Sequence, residues 1–207
     1  MVDDGSNPTI ARMIPDNVNL GDIDCTPNGV FKALGSIKPN SACGPDGMSP
    51  RFLYMLRHDL CVPLALIFGA LFREGVVPNT WLQSCIMPVF KKGLTCDPNN
   101  YRTIALTCIA YRVMEKIIRD AITKYLFEHK LISKAQHGFL VKRSTVTNLL
   151  ECTQNWTVAM ANRSATGCIY IDFKSAFDLV SHQKLLNKLN AFGIDASSTQ
   201  VAQSIFV

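Results

Sequence analysis

Asp172 has the setting most suggestive of chemistry. It closes a short apolar run, Cys168-Ile-Tyr-Ile171, that reads as a buried strand, and it precedes a helical segment holding Ala176-Phe177-Asp178. A carboxylate at the C-terminal edge of a strand can ligate Mg²⁺ while the strand fixes its position. A cation held there would polarise a phosphate and activate a hydroxyl for attack. The same carboxylate can instead merely cap the turn that follows, and spacing alone favours that reading. Lys91, Lys92 and Arg102 form a second group, around the tip of a predicted hairpin. Arg offers a triphosphate a bidentate contact and Lys a point charge. A merely solvated hairpin end carries the same residues.

Other chemistries find no support. His58, His129, His137 and His182 show no ligand spacing with one another or with cysteine. No Ser/His/Asp or Cys/His arrangement stands out, and the absence of a Gly-x-x-x-x-Gly-Lys-Ser/Thr run excludes a P-loop. The eight cysteines contain no Cys-x-x-Cys pair, and Cys61, Cys85 and Cys168 sit inside apolar runs. Free thiols behaving as small hydrophobes are expected, not a zinc site or a disulfide framework.

The elements that must position these residues are readable in outline. Residues 1–25 are polar and aperiodic and read as a poorly ordered lead-in. Thr26-Pro27 and Ser49-Pro50 each pair a cap residue with a proline at the first helical position. A third helix is expected around Pro63, ending near Gly75. Ser84–Phe90 and Tyr101–Leu106 read as strands joined through Thr95-Cys-Asp-Pro-Asn-Asn100, a long hairpin tip. Apolar residues at helical spacing predict a long helix from about Cys108 to His129. Gln136-His-Gly-Phe139 is a loop, after which Ser144 caps a helix with Leu149, Leu150, Trp156 and Met160 on its apolar face. Cys168–Asp172 is expected to be a central strand, with the helix of Ser181–Phe192 packed on its sheet and stopped by Gly193. Residues 197–207 begin another element. Helices with small sheets make an α+β class.

Composition agrees with a folded, polyanion-facing protein. Hydrophobic residues make up 48% of the 207, enough for a proper core. The net charge of +5 is unevenly spread: residues 1–50 carry three basic and six acidic side chains, whereas 51–207 hold 18 basic and 10 acidic, a net +8. A basic body favours a polyanionic partner, although ordinary solubility charge gives the same number. The longest apolar run, Cys61 to Phe72, is too short to span a bilayer, and no signal peptide opens the chain, so an intracellular protein without a membrane partner is expected.

Five blocks give these residues a context. Ala42-Cys-Gly-Pro-Asp-Gly47 comes first, then Pro88-Val-Phe-Lys-Lys-Gly93. Asp97-Pro-Asn-Asn-Tyr-Arg-Thr-Ile-Ala-Leu-Thr107 follows, then Leu131-Ile-Ser-Lys-Ala-Gln-His-Gly-Phe139 with Arg143-Ser-Thr145. The last is Tyr170-Ile-Asp-Phe-Lys-Ser-Ala-Phe-Asp-Leu-Val-Ser-His182. In this order the blocks resemble those of the reverse transcriptases of non-LTR (LINE-type) retrotransposons, and they cover roughly residues 28–207.

That resemblance implies a right-hand polymerase fold, truncated to the fingers plus part of a ferredoxin-like palm, over residues 26–207. It implies DNA synthesis on an RNA template by two-metal nucleotidyl transfer, with Mg²⁺ or Mn²⁺, a DNA primer and a deoxynucleoside triphosphate. By resemblance Asp172 is the first metal-binding aspartate, with the backbone of Phe173 as a further metal contact. Phe177 matches the bulky residue that excludes a 2′-hydroxyl. Lys91 or Lys92, with Arg102, matches the triphosphate contacts. Gln136, Gly138, Phe139 and Arg143 fall in the blocks that lie along template and primer. No oligomer is implied, and nuclear or cytoplasmic residence follows only from family habit.

The sequence departs from the family pattern in three places. Lys174-Ser175 reverses the commoner order, and Thr103 stands where proline is usual, which should loosen the strand entry beside Arg102. Most importantly, after Asp172 the chain offers only Asp178 and Asp195, neither in the adjacent pair that forms the family's second catalytic motif. The chain alone is therefore expected to be inactive. The alternative reading is a non-catalytic nucleic-acid-binding remnant of a decayed element.

Overall fold

The computed structural model describes residues 10–194, apart from 22, 24, 174, 175 and 178. They fall into two compact units, one formed by the chain up to Tyr125 together with that from His182 onward, the other by Leu126–Ser181. Helices and one small sheet make a mixed α+β protein.

The first unit is built on helices whose ends the sequence dictates. In α1 (Pro27–Gly35) the Thr26 hydroxyl accepts from the Gly29 amide at 3.2 Å, and Pro27 takes the first turn, where its missing N–H costs nothing. Ser49 also precedes a helix, α2 (Pro50–Met55), but its hydroxyl makes no cap bond. The third helix, α3 (Arg57–Glu74), starts well before Pro63, which lies inside it, and ends on Gly75 at φ 67°, a left-handed cap that favours glycine. After the single turn of α4 (Asn79–Leu82) comes the hairpin, and then the long α5 (Ile109–Glu128).

The core joins α1, α3 and the first turns of α5. Val30, Leu34, Phe68, Ile109 and Met114 are fully enclosed, with Leu53, Val77, Tyr111 and Val113 around them. Trp81 stands edge-on to Phe68 with centroids 6.0 Å apart. Gly44 sits hard against the start of α5: a Cβ there would lie 2.5 Å from the Thr107 carbonyl oxygen and 2.6 Å from Cys108 Cα. The Cys43–Gly47 turn is thus a packing device. Its seat is strengthened by Arg112, whose Nη2 donates to the Ala42 carbonyl at 2.8 Å.

The hairpin forms as expected. Strands β1 (Cys85–Phe90) and β2 (Tyr101–Leu106) pair antiparallel, with Pro88 opposite Thr103 and Val89 opposite Arg102. The Lys91 amide donates to the Asn100 carbonyl at 2.8 Å. Hydrogen-bonded pairs alternate along an antiparallel ladder, so Pro88 falls at a non-bonded pair and its missing N–H costs no ladder bond. Thr103 holds a regular place in β2. The tip is tied internally: the Asn100 side-chain amide donates to the Leu94 carbonyl at 2.9 Å, and Tyr101 Oη donates to that of Thr95 at 2.8 Å.

Helix α7 (His182–Ala191) returns to the first unit. Its C-terminal end is fastened by the Met13 amide to the Ala191 carbonyl (2.8 Å), by the Leu20 amide to that of Gly193 (2.9 Å), and by Tyr125 Oη to that of Phe192 (2.9 Å). Part of the segment read as lead-in therefore packs on α7.

The second unit contains α6 (Thr145–Ala161), and none of its described residues is buried. Ser144 and Thr147 form a reciprocal capping box, the Thr147 amide donating to Ser144 Oγ and the Ser144 amide to Thr147 Oγ1. The apolar residues expected on the inner face of α6, Leu149, Leu150, Trp156 and Met160, are exposed.

The expectation for Cys168–Asp172 is corrected. These residues are irregular, not a central strand, and Ile169 and Tyr170 are 90% and 86% exposed. A strand persists only where neighbours satisfy its amides and carbonyls. Among the described residues the sole ladder is β1–β2, and it lies in the other unit. Helix α7 is formed although residues 168–172 make no strand. The element expected at 197–207 lies outside the described residues.

Candidate functional site

The sequence-predicted site residues divide between the two units. In the first, Lys91, Lys92 and Arg102 are all exposed at the hairpin end. Side chains alternate between the faces of a strand, so Arg102 shares a face with Val89, its partner in β1. Lys91, two residues beyond Val89 and still bonded to Asn100, continues that face. The hairpin thereby sets two cations, one able to fork and one compact, side by side on a two-stranded platform.

In the second unit the loop before α6 is tightly held. Arg143 Nη1 donates to the carbonyls of Lys134 and Gln136, the latter at 2.7 Å. Gln136 Nε2 donates to the Gly138 carbonyl at 3.0 Å. His137 pins the loop to α6: Nδ1 lies 2.9 Å from Thr147 Oγ1 and Nε2 2.8 Å from Glu151 Oε2. Thr147 gives its hydroxyl proton to the Ser144 carbonyl at 2.8 Å, so its oxygen faces His137 as an acceptor. Both ring nitrogens thus face oxygen atoms of α6. His137 carries no ligand spacing, which is why sequence reasoning passed over it. Its signal was the reach from a loop residue to a helix face ten and fourteen residues on.

Gln136 and Arg143 each spend donors on the loop's own carbonyls and so help to shape it. Phe139 is what the loop presents. It is 94% exposed and has φ 62°, an uncommon conformation for a bulky residue and one that the surrounding bonds impose. Phe177, 80% exposed, meets it edge to face with centroids 6.2 Å apart. The loop and the segment that follows Asp172 are thereby brought together inside one unit.

Asp172 itself is exposed, as is Phe173. Among the described residues no group of three or more His, Cys, Asp or Glu side chains could hold a metal ion. Asp172 alone does not fit the oxygen-rich shell that Mg²⁺ requires. Asp178 and Asp195, the other carboxylates weighed from sequence, and the reversed pair Lys174-Ser175 lie outside the described residues. Likewise among the described residues, no helix is long and apolar enough to cross a membrane.

The groups raised by burial lie elsewhere, around the start of α5. Burial raises the Glu115 carboxyl, against the opposing pull of Arg112. Burial likewise raises the Cys108 thiol and pushes the Tyr111 phenol up to about 12. These groups belong to the core and its margin, and they mark packing, not a catalytic centre.

Comparison with known proteins bears on the whole arrangement. The model of the family described as reverse transcriptase (RNA-dependent DNA polymerase) matches residues 89–206. The chain is 30% identical over 160 residues to the RNA-directed DNA polymerase from mobile element jockey of Drosophila melanogaster, covering 77% of this chain and 18% of that protein. It is 26% identical over 161 residues to the probable RNA-directed DNA polymerase from transposon BS of the same organism, with the same coverage of 77% and 18%. It is 26% identical over 162 residues to the retrovirus-related Pol polyprotein from type-1 retrotransposable element R2 of Nasonia vitripennis, covering 78% and 15%. The chain thus spans less than a fifth of the length of these relatives.

Proposed function

The chain belongs to the reverse transcriptase family, of the kind carried by non-LTR retrotransposons, and from that premise we propose that it holds primer, template and nucleotide for RNA-directed DNA synthesis. The family uses divalent metal ions, and in this reading the ion is Mg²⁺ or Mn²⁺. Residues 26–207 form the fingers and the first part of the palm, and Asp172 is one carboxylate of the catalytic centre. Phe173 contributes through its backbone. The two-metal centre needs carboxylates that the described residues do not supply, so no chemical step is assigned to them.

One observation carries the reading: the edge-to-face contact of Phe139 with Phe177. It puts the loop of the template and primer block beside the segment that follows Asp172, as a polymerase requires of the groups that hold a primer end and those that act on it. An exposed aromatic presents a face on which a base can stack, worth roughly 1–3 kcal/mol per base. Arg102 and Lys91, on one face of the hairpin, are the contacts proposed for the triphosphate, where opposite charge is needed. The second reading, binding without catalysis, is favoured by the lack, among the described residues, of any group of three or more His, Cys, Asp or Glu that could hold a metal ion.

Fluorescence anisotropy with an RNA–DNA hybrid carrying a recessed primer end tests the proposal. Phe139→Ala is expected to weaken binding about tenfold, the loss of one stacked base. Asp172→Ala is expected to bind as the parent does. Unchanged binding by Phe139→Ala would overturn the assignment. In primer extension with Mg²⁺ or Mn²⁺, the chain alone is expected to show no synthesis above Asp172→Ala. Synthesis above that control would place a complete site within these 207 residues.

A further inference from the structure

The hairpin and the Phe139 loop leave a third basic feature unused. Along α5, Arg112, Lys116 and Arg119 recur at spacings of four and three and so share one stripe of the helix. Facing them, the end of α1 and the turn after it bring Ser36, Lys38 and Ser41. Between lies an open hollow of about 270 Å³ floored by Ala33, Ile37, Ile109 and Val113. A second hollow, of about 670 Å³, shares Ala33, Ser36 and Lys116 with the first and adds Lys32 and Lys124. The two are one groove running along α5, entirely within the first unit. From Arg112 to Lys124 it extends for about 18 Å, at about 1.5 Å per helical residue.

Among the described residues that line the groove, Asp120 is the one carboxylate. Asp120 is shared between Lys116, at 3.0 Å, and Arg119, at 3.0 Å. Arg112 spends Nη2 on the Ala42 carbonyl, while its Nε is buried without an acceptor. The floor is aliphatic, and no aromatic side chain lines either hollow. Such a surface offers cations for phosphate oxygens and nothing on which a base could stack or be read, the hydroxyls of Ser36 and Ser41 already donating to the carbonyls of Ala33 and Lys38.

We propose that the α1–α5 groove, lined by residues other than the hairpin cations and Asp172, binds the sugar-phosphate backbone of a nucleic-acid strand, independently of base sequence. The choice of a nucleic acid over another polyanion rests on the function proposed above; the anion chemistry rests on the groove itself. Asp120 acts there as an internal competitor, holding two of the cations until phosphate oxygens displace it.

The test is an anisotropy titration of the full chain with a short labelled single-stranded RNA of mixed sequence, repeated across a salt series. The triple variant Lys38→Gln, Lys116→Gln, Arg119→Gln is expected to bind about tenfold more weakly and to lower the salt slope by about 2, near 0.7 for each phosphate left without its cation. Asp120→Asn, which releases Lys116 and Arg119, is expected to bind about threefold more tightly at low salt. A variant that merely damaged the fold would not gain affinity, so this arm holds even if the triple variant misfolds. Parental affinity and slope in both variants would overturn the groove. If Lys91→Gln, Arg102→Gln loses binding while both groove variants keep it, the groove fails and the function proposed above stands. No binding of any RNA by the parent chain would remove both.

Discussion

At the scale of single residues, His137 shapes the loop that carries Phe139. It is hidden in a region where little else is, and its two contacts fix that loop. His137→Ala should cost about 1–2 kcal/mol, the net value of one or two hydrogen bonds, read as a lower denaturant midpoint. It should also speed tryptic cleavage at Lys134, Lys142 and Arg143 several-fold. Unchanged cleavage would show that the loop holds without the staple. Glu115 gives a second residue-scale expectation. Burial raises its folded pKa above the unfolded value, so the folded state binds more protons between the two. Its favourable contribution is present below the unfolded pKa and is lost as pH rises through the folded one. Glu115→Gln should therefore stabilise the protein at neutral pH and leave it little changed in acid, as read from urea midpoints at the two pH values.

Asp172 and Arg102 were legible as candidates because residue type and place in a pattern coincided. His137 was not, because a loop-to-helix contact leaves no periodicity. The inward use of Gln136 and Arg143 was invisible for the same reason: which carbonyl a long donor finds depends on the loop's path, which no local rule specifies.

At the scale of elements, local signals served well where an element is stabilised by its own ends. The caps at Thr26 and Ser144, the stop at Gly75 and the turn chemistry of residues 95–100 all place boundaries within a residue or two. They failed at 168–172, where the apolar run has the composition of a buried strand but stability depends on partners elsewhere in the chain. Gly44 shows the reverse case. The sequence marks it as a turn glycine, yet its φ is not in the left-handed region, and what requires it is the closeness of Thr107 and Cys108. Gly44→Ala should force backbone apart and cost about 1–3 kcal/mol, measured by thermal or chemical unfolding. A cost of a few tenths would mean that the turn gives way easily.

At the scale of the whole molecule, two features stand together: a net +8 over residues 51–207 and an extensive exposed apolar surface. Leu149, Leu150 and Met160 on α6, and Ile169 to Ile171 beside Asp172, are open to solvent, and surfaces of that kind mark partners still to be met or a tendency to associate. In the function proposed above, the partner of that charge is nucleic acid, gripped through phosphate contacts from the basic body. The measurement is the affinity for an RNA–DNA hybrid as a function of salt. Binding at low salt, with log affinity falling linearly against log salt at about 0.7 to 0.9 per phosphate contact, is the expected result. Failure to bind at low salt, or binding indifferent to salt, would contradict it.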